Sequence, residues 1–121
     1  MNTFILNSNA VLRLLLGDDE AASAEIGALL ERAEHGDVRV VLDPLVVAEC
    51  CTLLHGPVYG IDKGRISNTL TQLVMFNGLE SDDAIRITEA LNLYATQDLD
   101  FTDAYLSVVA RQMKGSVTHV D

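Results

Sequence analysis

The chain predicts an α/β fold: a parallel sheet flanked by helices on both faces. Two observations carry that prediction. Short β-branched or apolar runs alternate with amphipathic helix patterns, in the order β-α-α-β-α-α-(β)-α-α-β. The strand runs are apolar on both faces, the pattern of parallel strands covered by helices, and do not alternate with polar residues. The 121 residues, 49% of them hydrophobic, suit one compact domain over 1–121 with a sizeable core.

Each element has its own signal. "TFILN", residues 3–7, reads as a short buried strand. A helix follows from Ser8, with Leu12, Leu15 and Leu16 at core spacing and Gly17 as its stop. A second helix runs over about 20–34, where Ile26, Leu29, Leu30 and Ala33 form an i, i+3, i+4, i+7 stripe ahead of Gly36. "VRVVL", 38–42, is a β-branched strand. Asp43-Pro44 then starts a helix over about 44–54, with an acidic N-cap and proline at the first helical position. After the loop "HGPVYG" a fourth helix spans about 62–75, with Ile66, Leu70, Leu73 and Val74 inward. "NGLE" is a turn with room for a minimal strand. Ser81 caps a fifth helix over about 82–95 that buries Ile87, Ala90, Leu91 and Tyr94. Thr102 caps a sixth over about 103–113 with an apolar set of Leu106, Val109, Ala110 and Met113, and "SVTHV" reads as a last strand.

Composition narrows the function. No apolar run reaches the roughly 18 residues of a membrane span, and no basic n-region precedes a cleavage site, so a soluble cytoplasmic protein is expected. Net charge is −10, from 18 acids against 8 bases. A binder that neutralises phosphates needs a basic face, which this chain does not advertise. Action on nucleic acid would therefore run through bound metal or a second subunit. Cys50 and Cys51 are neighbours in a helix, where side chains diverge by about 100°, and read as reduced, partly buried thiols.

In an open parallel sheet, ligands bind beyond the carboxyl ends of the strands. Asn7 ends the first strand there, Asp100 and Asp103 lead into the sixth helix, and Asp121 follows the last strand. Glu49, from the first turns of the third helix, leans toward the same rim. Carboxylates converging at one rim repel unless a cation joins them, and hard oxygen donors suit Mg²⁺ or Mn²⁺. The plainer reading is that Asp103 answers the helix macrodipole and Glu49 is an ordinary helix residue.

The stretches "FILNSNAVLRLLLGDD", "VRVVLDPLVVAECCTLL", "VYGIDKGRI", "ALNLYATQDLDFTDAYLSVVAR" and "SVTHVD" together resemble the PIN-domain family, and within it the VapC-type toxins of toxin–antitoxin pairs. The match covers nearly the whole chain, in order. The resemblance implies a three-layer PIN-like sandwich and a metal-dependent endoribonuclease that hydrolyses RNA phosphodiester bonds with Mg²⁺ or Mn²⁺. It also implies a small VapB-like antitoxin as partner and a homodimer. Its first acidic position falls on Asn7, followed by Ser8 and Asn9; its helix-borne glutamate is Glu49 and its late aspartate Asp103, with Asp100 auxiliary. Its fourth acid falls near "THVD", so that Asp121 stands one residue late and Thr118 is the better-matched position. The family continues past this point, so the resemblance implies a shortened tail. Lys63 and Arg65 are candidates for RNA phosphate, against ordinary exposed charges.

Asn7 brings the shape of aspartate without its charge. Either an aspartate has been replaced and the nuclease impaired, which is the favoured account, or the residue is native to a silent PIN fold that binds protein or RNA without cutting. A different α/β enzyme finds less support. There is no G-x-G-x-x-G and no G-x-x-x-x-G-K-[ST], and His35, His55 and His119 stand alone, with His119 close to Asp121 in sequence.

Overall fold

The computed structural model describes residues 1–81 and 83–120. Strand β1 (Thr3–Ile5) leads into helices α1 (Ser8–Leu16) and α2 (Glu20–Glu34); β2 (Arg39–Val41) follows, then α3 (Pro44–His55) and α4 (Lys63–Val74). β3 (Leu79–Glu80), α5 (Ala84–Thr96) and α6 (Phe101–Gln112) complete the described elements. The three strands form one parallel sheet in the order β1-β2-β3, with Phe4 opposite Val40 and Val41 opposite Glu80. With its flanking helices this is the α/β sandwich that the alternation predicts. Among the described residues, no helix is long and apolar enough to cross a membrane.

Local chemistry sets the helix ends. Gly17 closes α1 in the left-handed region at φ 61°, and its N–H donates to the Arg13 carbonyl. Gly36 sits at φ 84° just past the α2 cap residue His35. Asp43 caps α3 by accepting from the Leu45 N–H, with Pro44 at the first position. Gly78 has no substitute: at φ 107° a Cβ would meet the Glu34 backbone at 2.7 Å.

The core is one cluster, and Val40, Leu42, Val47, Ile66, Leu70, Ile87 and Leu91 are almost fully buried in it. α5 packs between α4 and α6, while α3 touches α1, α4 and α6. The predicted inward faces of α4 and α5 are found buried in full.

Four expectations fail for identifiable reasons. First, "SVTHV" forms no strand: 116–120 carry no regular structure and are largely exposed. β-propensity describes fitness for a ladder and cannot supply the neighbouring strand. Second, β1 is not buried; Ile5 is 70% exposed and Phe4 38%. The bonds Leu6 N–H to Val41 and Arg39 N–H to Asn2 point the even positions toward β2. The backbone groups of Thr3 and Ile5 therefore face the outer edge, since parallel strands alternate the direction of their bonding groups. Third, α6 begins at Phe101 with Asp100, not Thr102, as N-cap. Its buried stripe is accordingly Phe101, Ala104 and Val108, while Leu106 and Met113 lie exposed. Fourth, α5 starts after Asp83, not Ser81, and Asp83 makes no side-chain cap bond. Position 82, where that helix was expected to begin, lies outside the described residues.

Candidate functional site

The corner between β1 and α1 is built by Asn7. Its backbone is extended, and its Oδ1 accepts the Ala10 N–H at 2.8 Å, so the side chain is the N-cap of α1. An N-cap needs a short acceptor side chain after a non-helical φ/ψ, and Asn and Asp serve equally. Capping therefore explains the shape of this residue and says nothing of its charge. Asn7 is exposed and borders a groove of about 530 Å³ floored by Leu6, Ile26 and Leu29 between β1 and α2. Ser8 behind it is buried, and Asn9 is exposed on α1.

α3 ties this corner to the opposite one. Its Cys50 thiol donates to the Ser8 carbonyl at 3.9 Å, which seats α3 against the start of α1. Glu49, one position earlier in the second turn of α3, is exposed. Burial, helped by the Glu49 carboxylate, pushes the Cys50 thiol up to about 12. Cys51, also driven by burial, rises to about 12. Both cysteines are therefore inert core thiols, as the sequence suggests.

The second corner is the start of α6. Asp100 Oδ1 accepts the Asp103 N–H at 2.8 Å, the same bond that Asn7 makes to Ala10. Asp103 stands exposed in the first turn, where the macrodipole favours a carboxylate. Beside these acids opens a polar pocket of about 390 Å³ whose walls include Thr52 and His55 from α3, Lys63 from α4, Tyr94 from α5, and Asp98 and Asp100. The Lys63 ammonium donates to the Leu99 carbonyl at 3.0 Å, pairs with Asp98 at 3.3 Å and lies 4.8 Å above the centre of the Tyr94 ring. His55 Nδ1 donates to the Ile61 carbonyl at 2.9 Å, which leaves Nε2 as an acceptor in the neutral ring. Burial pushes the Tyr94 hydroxyl up to about 12, and it has no hydrogen-bond partner among the described residues.

Of the sequence-predicted residues, the fold joins Asn7 and Ser8 to Glu49's helix, and packs that helix on the α6 of Asp103. It makes Asp100 the N-cap of α6. It draws Lys63 into the pocket, while Arg65 lies exposed on α4 beside Leu54 and Ile66. Thr118 is exposed in the irregular segment after α6, as is His119. Asp121 lies outside the described residues. Sequence reasoning missed Tyr94 and Asp98 as polar pocket residues. Tyr94 looked like core because it sits on the buried stripe of α5, and the left-handed backbone of Asp98 (φ 52°) leaves no mark in composition.

The donor set can be tested against a divalent cation. Glu49 and Asp103 are hard oxygen donors of the right kind. The Asn7 oxygen is engaged by a backbone N–H and carries no charge. Among the described residues no three His, Cys, Asp or Glu side chains are grouped to hold a metal. As the chain stands, its described residues do not complete a metal site.

No curated protein and no solved structure matches the chain. The family model described as PIN domain matches residues 4–121, nearly the whole length: the chain belongs to the PIN domain family.

Proposed function

We propose that this protein is a VapC-type endoribonuclease whose catalysis is impaired by Asn7 in place of the first rim aspartate. PIN domains are typically divalent-metal-dependent nucleases acting on nucleic acid, which places the chain among hydrolases in general. The observation that carries the proposal is the place of Asn7, directly after β1 in a chain that belongs to the PIN domain family. Position 7 holds an acceptor side chain at the carboxyl end of β1, next to the helix of Glu49, in a geometry that aspartate adopts equally well.

An aspartate there would keep the cap bond and add a carboxylate to those of Glu49 and Asp103. With Asp at position 7, these three side chains would hold a divalent cation, which would supply an activated water and charge stabilisation for phosphodiester hydrolysis. Charge is the decisive quantity: two unit charges about 4 Å apart interact by about 4 kcal/mol at an effective dielectric of about 20. Repulsion among the acids offsets part of this, yet about 1.4 kcal/mol already changes affinity tenfold. In this reading Mg²⁺ or Mn²⁺ is the cofactor and RNA the substrate. The partners are a small VapB-like antitoxin and a second copy of the chain, for which exposed Ile5, Leu45, Val58 and Ile85 offer apolar contact.

The test compares the chain with Asn7→Asp on mixed RNA, with Mn²⁺ or Mg²⁺ and with EDTA. Metal-dependent cleavage at least about tenfold faster in the variant is expected. Equal, metal-independent outcomes would sink the proposal. They would favour the second reading, a silent PIN fold that binds protein or RNA, for which the engaged Asn7 oxygen and the incomplete acid group speak.

A further inference from the structure

The pocket beside α6 is built for a ligand that the acids do not explain. Two of its lining residues lie about one helical turn from the acids that the proposed function invokes. Thr52 is three residues past Glu49 on α3, and Asp100 is three before Asp103 on α6. Residues at that spacing share a helix face. A chain of nucleotides whose phosphodiester lay at the rim would bring a neighbouring base to this opening.

Charge selects among ligands. Asp98 and Asp100 disfavour a free phosphate, and the Lys63 ammonium paired with Asp98 disfavours a cation. What fits is an uncharged group with donors and acceptors side by side. Two observations show that the pocket is poised for one. Tyr94 is only 3% exposed, yet its hydroxyl is buried without a partner, and such a group is costly to leave unmet. Asp98 holds a left-handed backbone, φ 52°, uncommon outside glycine, and its side chain is 99% exposed. The Lys63–Asp98 pair is correspondingly screened and separates at little cost. Separating it uncovers the Tyr94 ring on which Lys63 rests.

We propose that this pocket takes a guanine base of single-stranded RNA, read by the Asp98 carboxylate, the Lys63 ammonium and the Tyr94 hydroxyl. Guanine presents two adjacent donors, N1–H and N2–H, which a carboxylate accepts together, and beside them O6, which an ammonium donates to. Adenine, cytosine and uracil each lack the paired donors. Protein sites for unpaired RNA read this edge and use aromatic walls. At neutral pH the Tyr94 hydroxyl, its pKa raised by burial, stays protonated and able to donate. The inference rests on the nucleic-acid reading above and adds the base that the site selects.

The test is fluorescence anisotropy in EDTA with labelled uridine-rich RNAs carrying one central G, A, C or U. The G-containing RNA is expected to bind about tenfold tighter than the others, the order of discrimination that one bidentate contact supplies. Asp98→Asn should abolish the preference with no change in melting temperature, because that side chain is exposed. Tyr94→Phe should weaken G binding without lowering the melting temperature, since an unpartnered hydroxyl contributes nothing to the unliganded fold. Equal affinity for all four RNAs, or a G preference that survives Asp98→Asn, overturns the proposal. The nuclease reading is judged separately. Cleavage by Asn7→Asp without a base preference removes the pocket and keeps the enzyme; a G preference without cleavage does the reverse.

Discussion

Two helix starts, those of α1 and α6, solve one structural problem with different charge. Asn7 opens α1 and Asp100 opens α6, each accepting the N–H three residues on at 2.8 Å. The α1 corner is neutral, with no acid in its first turn; the α6 corner carries Asp100 and Asp103. As caps the two are interchangeable. The difference between them is therefore not structural in origin. A fold that tolerates two carboxylates at one corner has no mechanical reason to refuse one at the other.

The most severe way to erase the comparison is to charge what lies behind each corner. Cys50 sits behind α1, and Cys51 and Tyr94 behind α6; burial raises all three to about 12, from 9.0 for the thiols and 10.0 for the phenol. Groups whose folded pKa is raised bind more protons in the native state at alkaline pH. Their stabilising contribution is complete below pH 9 and drains as pH climbs toward 12. Each thiol costs about 1.4 kcal/mol per pH unit over that window. Urea melts at pH 7, 9, 10 and 11 should show flat stability up to 9 and a steepening loss beyond it. Iodoacetamide at pH 8 should label neither thiol until the protein unfolds. Rapid native labelling of Cys50 would mean that α3 does not close on Ser8.

Next in size is the change that makes the corners alike. Asn7→Asp should raise metal-dependent RNA cleavage by about tenfold or more, since about 1.4 kcal/mol of added metal affinity suffices. The same variant should gain thermal stability from millimolar Mn²⁺, by mass action on the folded state, where the present chain gains little. Calorimetric scans with and without metal read this directly. A variant that gains nothing leaves the α1 corner a cap and no more.

Removing either cap gives a smaller effect. Asn7→Ala and Asp100→Ala should each cost about 1 kcal/mol. Asp100→Ala should cost slightly more, because its charge also meets the α6 macrodipole, by about 0.3 to 1 kcal/mol. Relief of repulsion with Asp103 reduces that excess, and raising the salt should shrink it further. Denaturant melts at low and high salt test the order.

Much of this architecture was legible in the sequence, for a local reason. Helix starts are written in a few side chains, as at Asp43-Pro44, and stripes such as Ile87, Ala90, Leu91 and Tyr94 need only their own spacing to be read. The failures are of two kinds: two turn on neighbouring strands, and two misplace a helix cap by two residues. Whether "SVTHV" is a strand depends on a neighbour across a ladder. Reading the α6 cap as Thr102 shifted its whole stripe, because Asp100 also looked like a site acid. The candidate site divides in the same way. Asn7 and Asp103 were visible as residue types at a strand end and a helix start, and Glu49 as an acid within α3, whereas the pocket of Lys63, Tyr94 and Asp98 exists only once four helix ends come together.

The smallest effect is the most informative about the missing charge. In EDTA, Asn7→Asp should shift stability by less than about 0.5 kcal/mol, because the cap bond is retained. Two terms pull against each other: attraction of the new carboxylate to the α1 macrodipole, about 0.3 to 1 kcal/mol, and repulsion from Glu49 across the rim. Both are screened at exposed positions, so the difference should fade further at high salt. A metal-free loss well beyond 0.5 kcal/mol, recovered by Mn²⁺, would show that the acids stand close enough to need a cation between them. A near-zero shift together with restored cleavage would show that the neutral corner affects chemistry alone and leaves the fold as it was.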